Sequence, residues 1–78
     1  MSQKDRRQNF KLSSHFIDFT AKHPEIFDSL PKNPQIVFGD VRNPQLTRKN
    51  VNLARRLRGK VYQAIRDRRG SWHLELVR

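Results

Sequence analysis

The residues with the most evident chemistry are the lysines and arginines of segment 41–70. That segment carries ten Lys and Arg and one acid, Asp67, and the whole chain has a net charge of +10. Guanidinium and ammonium groups concentrated in this way suit phosphate, because they supply positive charge and hydrogen-bond donors to its oxygens. The cations that we expect to contact phosphate are Arg48, Lys49, Arg55, Arg56, Arg58, Lys60, Arg66, Arg68 and Arg69.

Two explanations account for such a run of cations. A solvated helix face usually mixes acids and bases four residues apart, so that they pair on its surface. No acid stands between Val41 and Arg66, and Arg56 with Lys60 would be like-charge neighbours on a helix. Because such pairs destabilise a helix until an anion binds, the pattern favours a polyanionic partner over a merely solvated face.

The remaining polar residues give little support for a metal site or for catalysis. His15 and His23 lie eight residues apart, too far to share an ion on one helix, and the chain has no cysteine. Arg68 and His73 match the loose Arg-x4-His pattern of some helical ribonucleases, but the pair would straddle a turn. The acids are scattered and no glycine-rich phosphate loop is present. We therefore expect no metal, no cofactor and no enzymatic activity.

Two aromatic residues lie near arginines in the sequence, Tyr62 and Trp72. Aromatic side chains among arginines hold single-stranded nucleic acid in many proteins, because bases stack on the rings while phosphates pair with the cations. A lone tryptophan in a small domain is needed for the core, so we expect Trp72 to be buried.

A helix must position the cations, and the segment Asn43 to Gly59 has the features of one. Asn43 can cap its start, and Pro44 suits the first helical position, where no backbone donor is needed. Gly59 suits the left-handed residue that ends a helix, with Arg56 and Arg58 in the last turn. The apolar face of this helix would hold Leu46, Asn50, Leu53, Ala54 and Leu57.

Two structures fit the residues that follow. One unbroken basic helix over 44–69, in a simple β-α fold, would carry Gly59 in its middle at a cost of about 1 kcal/mol. The other ends the helix at Gly59 and forms a hairpin, with a strand over 60–66, a turn, and a strand over 72–77. We favour the hairpin, because Val, Tyr and Ile favour strands and the last segment alternates apolar with polar residues.

The first half of the chain supplies the other elements. Segment 8–23 predicts a helix that ends before Pro24, and a short helical segment follows. The apolar line of the long helix would hold Phe10, Ser13, Ile17 and Ala21, with Phe16 and Thr20 beside it and Phe19 widening the apolar stripe. Residues 35–39 read as a short buried strand. Residues 1–7 are polar, and we expect them to be flexible.

These elements predict a single α+β domain over residues 1–78, ordered α-β-α-β-β, with a three-stranded mixed sheet. The first two strands would be parallel and joined by a right-handed crossover. Short strands leave open edges, which would allow a homodimer. Since the chain has no signal-peptide pattern and no apolar run of about 20 residues, we expect a cytoplasmic protein without a membrane partner.

A series of spaced residues carries a resemblance to known proteins. These are Phe16, Phe19, His23-Pro24-Glu25, Leu30-Pro31, Ile36-Val37-Phe38, Asn43-Pro44, Leu46, Asn50 and Leu53-Ala54. On them, the chain from Gln8 to Arg66 resembles a family of small bacterial and archaeal domains whose function is not known. In that family a strand follows the helix directly, so the resemblance implies the hairpin. It implies no activity, and the chain departs from it in its arginine-rich helix and in segment 68–78.

The sequence thus predicts a small basic protein that binds nucleic acid by contacting phosphates through an arginine-rich helix. The ligand would be RNA, or nucleic acid of any sequence. The alternative is a protein-interaction module, such as an adaptor, an antitoxin-like partner or a subunit of a larger assembly. That module would dock its basic face on an acidic protein and pair through an open sheet edge. The expected partner is accordingly nucleic acid or an acidic protein.

Overall fold

The computed structural model describes residues 1–77. Its elements, in chain order, are helix α1 (Gln3–Lys22), a 3-10 helix (Pro24–Phe27), strand β1 (Gln35–Asp40), helix α2 (Pro44–Ala54), strand β2 (Val61–Arg66) and strand β3 (Trp72–Leu76). This is the predicted α-β-α-β-β order, and the 3-10 helix lies where a short helical segment was predicted to follow the first helix.

The three strands form one mixed sheet in the order β1-β2-β3. Strands β1 and β2 are parallel, with Asp40 opposite Arg66, and β2 and β3 form an antiparallel hairpin, with Arg66 opposite Trp72. The α+β fold and the hairpin are therefore confirmed. The alternative of a single basic helix over 44–69 is wrong, because Val61–Arg66 pairs with strands on both sides.

One face of the sheet packs on α1 to form the core. Alternation and register place Phe38, Ala64 and Trp72 on that face, where they meet the buried Leu12 and Phe16 of the helix. The rings of Phe16 and Trp72 meet edge to face, with centroids 5.2 Å apart. Trp72 is only 6% exposed, so it is a core residue as predicted and offers no platform to a ligand.

Helix α1 begins five residues earlier than predicted. The Ser2 hydroxyl accepts a hydrogen bond from the Asp5 backbone N–H, and the Asp5 carboxylate accepts one from the Ser2 N–H. This reciprocal capping satisfies N–H groups that a helix start otherwise leaves unpaired. Segment 1–7 was expected to be flexible, but Gln3–Arg7 forms the first turns of the helix instead.

The buried side of α1 also differs from the prediction. The predicted apolar line ran through Phe10 and Ile17, yet these residues are 73% and 64% exposed. The helix instead buries Asp5, Leu12 and Phe16. Both lines have helical spacing, and the sheet selects the one whose aromatic ring, Phe16, fits against Phe38 and Trp72.

Helix α2 begins as predicted and ends early. The Asn43 side chain accepts a hydrogen bond from the Leu46 N–H, and Pro44 occupies the first turn. The helix ends at Ala54, because the N–H groups of Arg56 and Leu57 bond to carbonyls three residues back and tighten the chain into turns. Only two of the nine predicted cations therefore lie within the helix, so the expected arginine-rich last turn does not form.

Side chains of α2 cap the outer edge of β1. The Asn50 amide donates to the Phe38 carbonyl at 2.8 Å, and the Thr47 hydroxyl accepts from the Asp40 N–H at 2.9 Å. These backbone groups point away from β2 and would otherwise be unpaired. The β1 edge is thereby closed, which leaves β3 at the open edge of the sheet.

Candidate nucleic-acid interface

The turn between β2 and β3 presents two exposed arginines. The Asp67 carboxylate accepts hydrogen bonds from the backbone N–H groups of Arg69 (2.8 Å) and Ser71 (3.0 Å). Gly70 has a φ of +85°, a conformation that favours glycine and closes the turn. Because these bonds use backbone and Asp67 only, the side chains of Arg68 and Arg69 remain exposed to solvent.

The loop between β1 and α2 lies at the same end of the sheet as the β2–β3 turn. Strands β1 and β2 are parallel, and each of these connections follows the carboxyl end of its strand. The Asp40 carboxylate shapes this loop by accepting from the Arg42 backbone N–H at 2.9 Å. The Arg42 guanidinium then crosses to the neighbouring turn and donates to the Arg68 carbonyl at 2.8 Å. This bond ties the two loops together and holds Arg42 beside the β2–β3 turn.

Helix α1 adds one lysine and one histidine to this end. Arg66 Nη1 donates to His15 Nδ1 at 3.1 Å, since a guanidinium group has donors only. Lys11 lies one helical turn before His15. Together with His15 and Arg66, it lines a depression of about 170 Å³ between α1 and the β1–α2 loop. We call the six residues of this region the carboxyl-end cluster: Lys11, His15, Arg42, Arg66, Arg68 and Arg69.

The carboxyl-end cluster has few internal counter-ions. Within residues 1–77, no carboxylate lies within 4 Å of the guanidinium groups of Arg42, Arg66, Arg68 or Arg69. The two acids in these loops, Asp40 and Asp67, accept hydrogen bonds from backbone N–H groups instead. The four arginines thus lie at one end of the sheet without a carboxylate partner among the described residues, an arrangement that attracts an external anion.

A second group of cations lies at the opposite end of the sheet. Arg55 is the C-cap of α2, and Arg56, Arg58 and Lys60 follow it on the way into β2. The Gln35 amide holds this connection by donating to the Arg58 carbonyl. Helix α2 has 11 residues, so its length of about 16 Å separates this amino-end group from the carboxyl-end cluster.

The two predicted cations within α2 have different surroundings. Arg48 is exposed. The Lys49 ammonium group lies 2.9 Å from Asp5 Oδ2 and joins the start of α1 to α2. This hydrogen bond from Lys49 is the main cause that lowers the pKa of Asp5 below its ordinary value. Lys49 and Asp5 also line a depression of about 430 Å³ between the two helices.

The chain is similar to one protein family. The model of a family of unknown function, DUF5647, matches residues 6–69. The chain belongs to this family. No curated protein and no solved structure matches the chain. The DUF5647 match confirms the resemblance to a family of unknown function, and the matched residues include the whole carboxyl-end cluster.

The DUF5647 fold therefore divides the nine predicted cations instead of forming one surface from them. It brings Arg66, Arg68 and Arg69 together and keeps the amino-end group apart. Sequence reasoning missed Lys11, His15 and Arg42 as members of the site. Arg42 lies three residues after the end of the predicted first strand, so the expected parallel pairing was the signal that could have added it.

Two features, a metal-binding cluster and a membrane-spanning helix, are absent from the part of the chain that the structure describes. Residues 1–77 contain no group of three or more His, Asp or Glu side chains arranged to hold a metal ion. Nor, over the same residues, does a helix combine the length and apolar character needed to cross a membrane.

Proposed function

We propose that this DUF5647 domain binds nucleic acid, contacting phosphates through the carboxyl-end cluster. The observation that carries this proposal is the grouping of four arginines at one end of the sheet with no carboxylate within 4 Å of their guanidinium groups, among the described residues. Like charges held close together raise the local positive potential, and phosphate oxygens that pair with them relieve the repulsion.

The hydrogen bonds around the cluster favour tight phosphate binding. Arg42 is fixed to the β2–β3 turn and Arg66 to His15, so both guanidinium groups are held in place before a ligand arrives. Fixed donors lose little side-chain entropy on binding. Both keep further N–H donors, because a guanidinium group carries five. Contacts of this kind read phosphate and not bases, so binding would be insensitive to sequence.

The experiment is a fluorescence-anisotropy titration of the purified protein with labelled single- and double-stranded DNA and RNA. Five phosphate contacts on a single strand would make the affinity fall about 100-fold between 50 and 200 mM salt, because each phosphate contact adds about 0.7 to the slope through the release of counter-ions. A linear dependence of log affinity on log salt supports the proposal. No binding at low salt contradicts it.

The open edge of β3 favours a second candidate function, a protein-interaction module. The Ser71 carbonyl accepts a hydrogen bond from the β2 side of the hairpin, and the N–H of Val77 donates one to it. Because backbone groups alternate along a strand, those of Trp72, Leu74 and Leu76 point outward, away from β2. Natural sheets usually protect such an edge with lysine or proline, and β3 has neither. An added strand would pair with these groups.

The partner on this edge would be a second copy of the chain. Antiparallel pairing centred on Leu74 would bring His73 opposite Glu75 of the second copy, a complementary pair when the imidazole is protonated. The same register would cover part of Leu76, an exposed apolar side chain, with the edge strand of the second copy. This pairing is compatible with nucleic-acid binding, because the carboxyl-end cluster does not involve the backbone of β3.

A further inference from the structure

The outer side of α1 carries an aromatic ring among cations. Phe10 is 73% exposed and takes no part in the core. With Gln3, Arg6, Arg7 and Lys11 it lines a depression of about 350 Å³. Single exposed apolar side chains are common, but this ring differs from the others in having three cations around its depression, Arg6, Arg7 and Lys11.

Lys11 lies between this depression and the carboxyl-end cluster. Its side chain lines both the Phe10 depression and the one that contains His15 and Arg66. Phe10 and His15 are five residues apart on α1, about 7.5 Å along the helix axis and about 140° around it. A nucleic-acid chain that passes from Phe10 over Lys11 to Arg66 would therefore wrap partly around the helix.

We propose that Phe10 is a stacking platform for an unpaired base, so that the ligand of this surface is single-stranded nucleic acid. The inference rests on the proposed function and specifies its substrate class. A base stacks on an exposed ring while Arg6, Arg7 and Lys11 pair with the adjoining phosphates. A duplex cannot do this, because its bases are stacked on one another and only its backbone reaches the cations.

Charge distinguishes this occupant from a protein. The neighbours of Phe10 one helical turn back are Arg6 and Arg7. A second copy docked on Phe10 would bring four arginines of one sign together, whereas a polyanion neutralises them. Ile17 provides a contrast, since it is 64% exposed on the same helix but its neighbours one turn away are uncharged: Ser13, Ser14, Thr20 and Ala21.

The test compares tryptophan at two exposed positions. Phe10→Trp and Ile17→Trp each add an exposed indole, and the buried Trp72 gives both variants the same background. Titration with oligothymidylate should quench the added fluorescence of Phe10→Trp and leave that of Ile17→Trp unchanged. Phe10→Ala should weaken binding of the oligothymidylate about 5- to 100-fold, the range for loss of one stacked base, and leave duplex binding unchanged.

Each other outcome overturns a defined part of the account. If Phe10→Ala binds oligothymidylate as the wild type does, or weakens single strand and duplex equally, the stacking role is wrong while nucleic-acid binding stands. Equal quenching at both tryptophan positions also overturns it. If the wild type binds neither ligand at low salt, the proposed function itself fails. Circular dichroism of each variant checks that α1 remains folded.

Discussion

Replacing Asn50 with alanine should destabilise the domain far more than an ordinary helix substitution. Asn50 is 2% exposed, between α1, α2 and the edge of β1. Its amide donates to the Phe38 carbonyl (2.8 Å) and to Asn9 Oδ1 (2.7 Å), and its carbonyl accepts from Asn9 Nδ2 (3.2 Å). One side chain therefore joins three elements and closes the sheet edge.

The expected cost follows from these three hydrogen bonds. The Phe38 carbonyl loses its donor from α2, and leaving such an acceptor unpaired costs about 1–3 kcal/mol. The bonds to Asn9 add about 1 kcal/mol, because Asn9 is half-buried and partly regains water. The total is about 2–4 kcal/mol, a large fraction of the stability of a domain this small.

Urea unfolding followed by circular dichroism measures this loss. Asn52→Ala is the matched control, because Asn52 lies in the same helix, is exposed and makes no hydrogen bond through its side chain among the described residues. Both variants gain the same helix propensity, so their difference isolates the buried contacts. If Asn50→Ala and Asn52→Ala unfold within about 0.5 kcal/mol of each other, the proposed closure of the β1 edge does not stabilise the fold.

Three further substitutions test other contacts. Gly39→Ala should cost about 1–3 kcal/mol, because its Cβ would lie 2.7 Å from Gln63 Nε2, and adding Gln63→Ser should recover part of that loss in urea unfolding. Because the pKa of Asp5 is lowered in the folded state, its ionised form stabilises the fold at pH values above the unfolded-state pKa. This contribution is lost as the pH falls through the folded-state pKa. Thermal melts of Asp5→Asn should therefore depend less on pH below about 4 than those of the wild type. Leu76→Pro removes an outward N–H of the β3 edge, so sedimentation should show wild-type dimers and variant monomers; monomers in both would exclude self-pairing.

The sequence predicted the elements that depend on local signals. Asn43-Pro44 defines the start of α2 through side-chain capping and a fixed φ, which need no tertiary contact. The hairpin followed from β-branched residues and a turn that contains Gly70. Each of these features acts within a few residues of the chain, so a single sequence is enough to find it.

The errors lie where tertiary packing decides between local alternatives. Helix α1 has two apolar lines, and only the position of Phe38 and Trp72 determines that Phe16 is buried while Phe10 is exposed. Likewise, Arg and Leu are good helix formers, so the residues after Ala54 gave no sign that the helix would stop there.

Only three of the six residues of the carboxyl-end cluster were predicted as site residues, again because tertiary packing decides the rest. A helix continued to Arg58 would have carried most of the cations on one element, and its early end separates them. Lys11, His15 and Arg42 are distant in sequence from Arg66, and the parallel pairing of β1 and β2 brings their elements to one edge. No run of charge along the chain could indicate that meeting.

The central claim is that the carboxyl-end cluster, and not positive charge in general, binds nucleic acid. The most direct test compares the salt dependence of oligothymidylate binding for Arg68→Ala/Arg69→Ala with that for Arg56→Ala/Arg58→Ala, two variants that lose the same charge at exposed positions. The first should reduce the slope of log affinity against log salt by about 1.4, since each lost phosphate contact removes about 0.7, and the second should leave the slope near that of the wild type. Equal slopes for the two variants would contradict the claim.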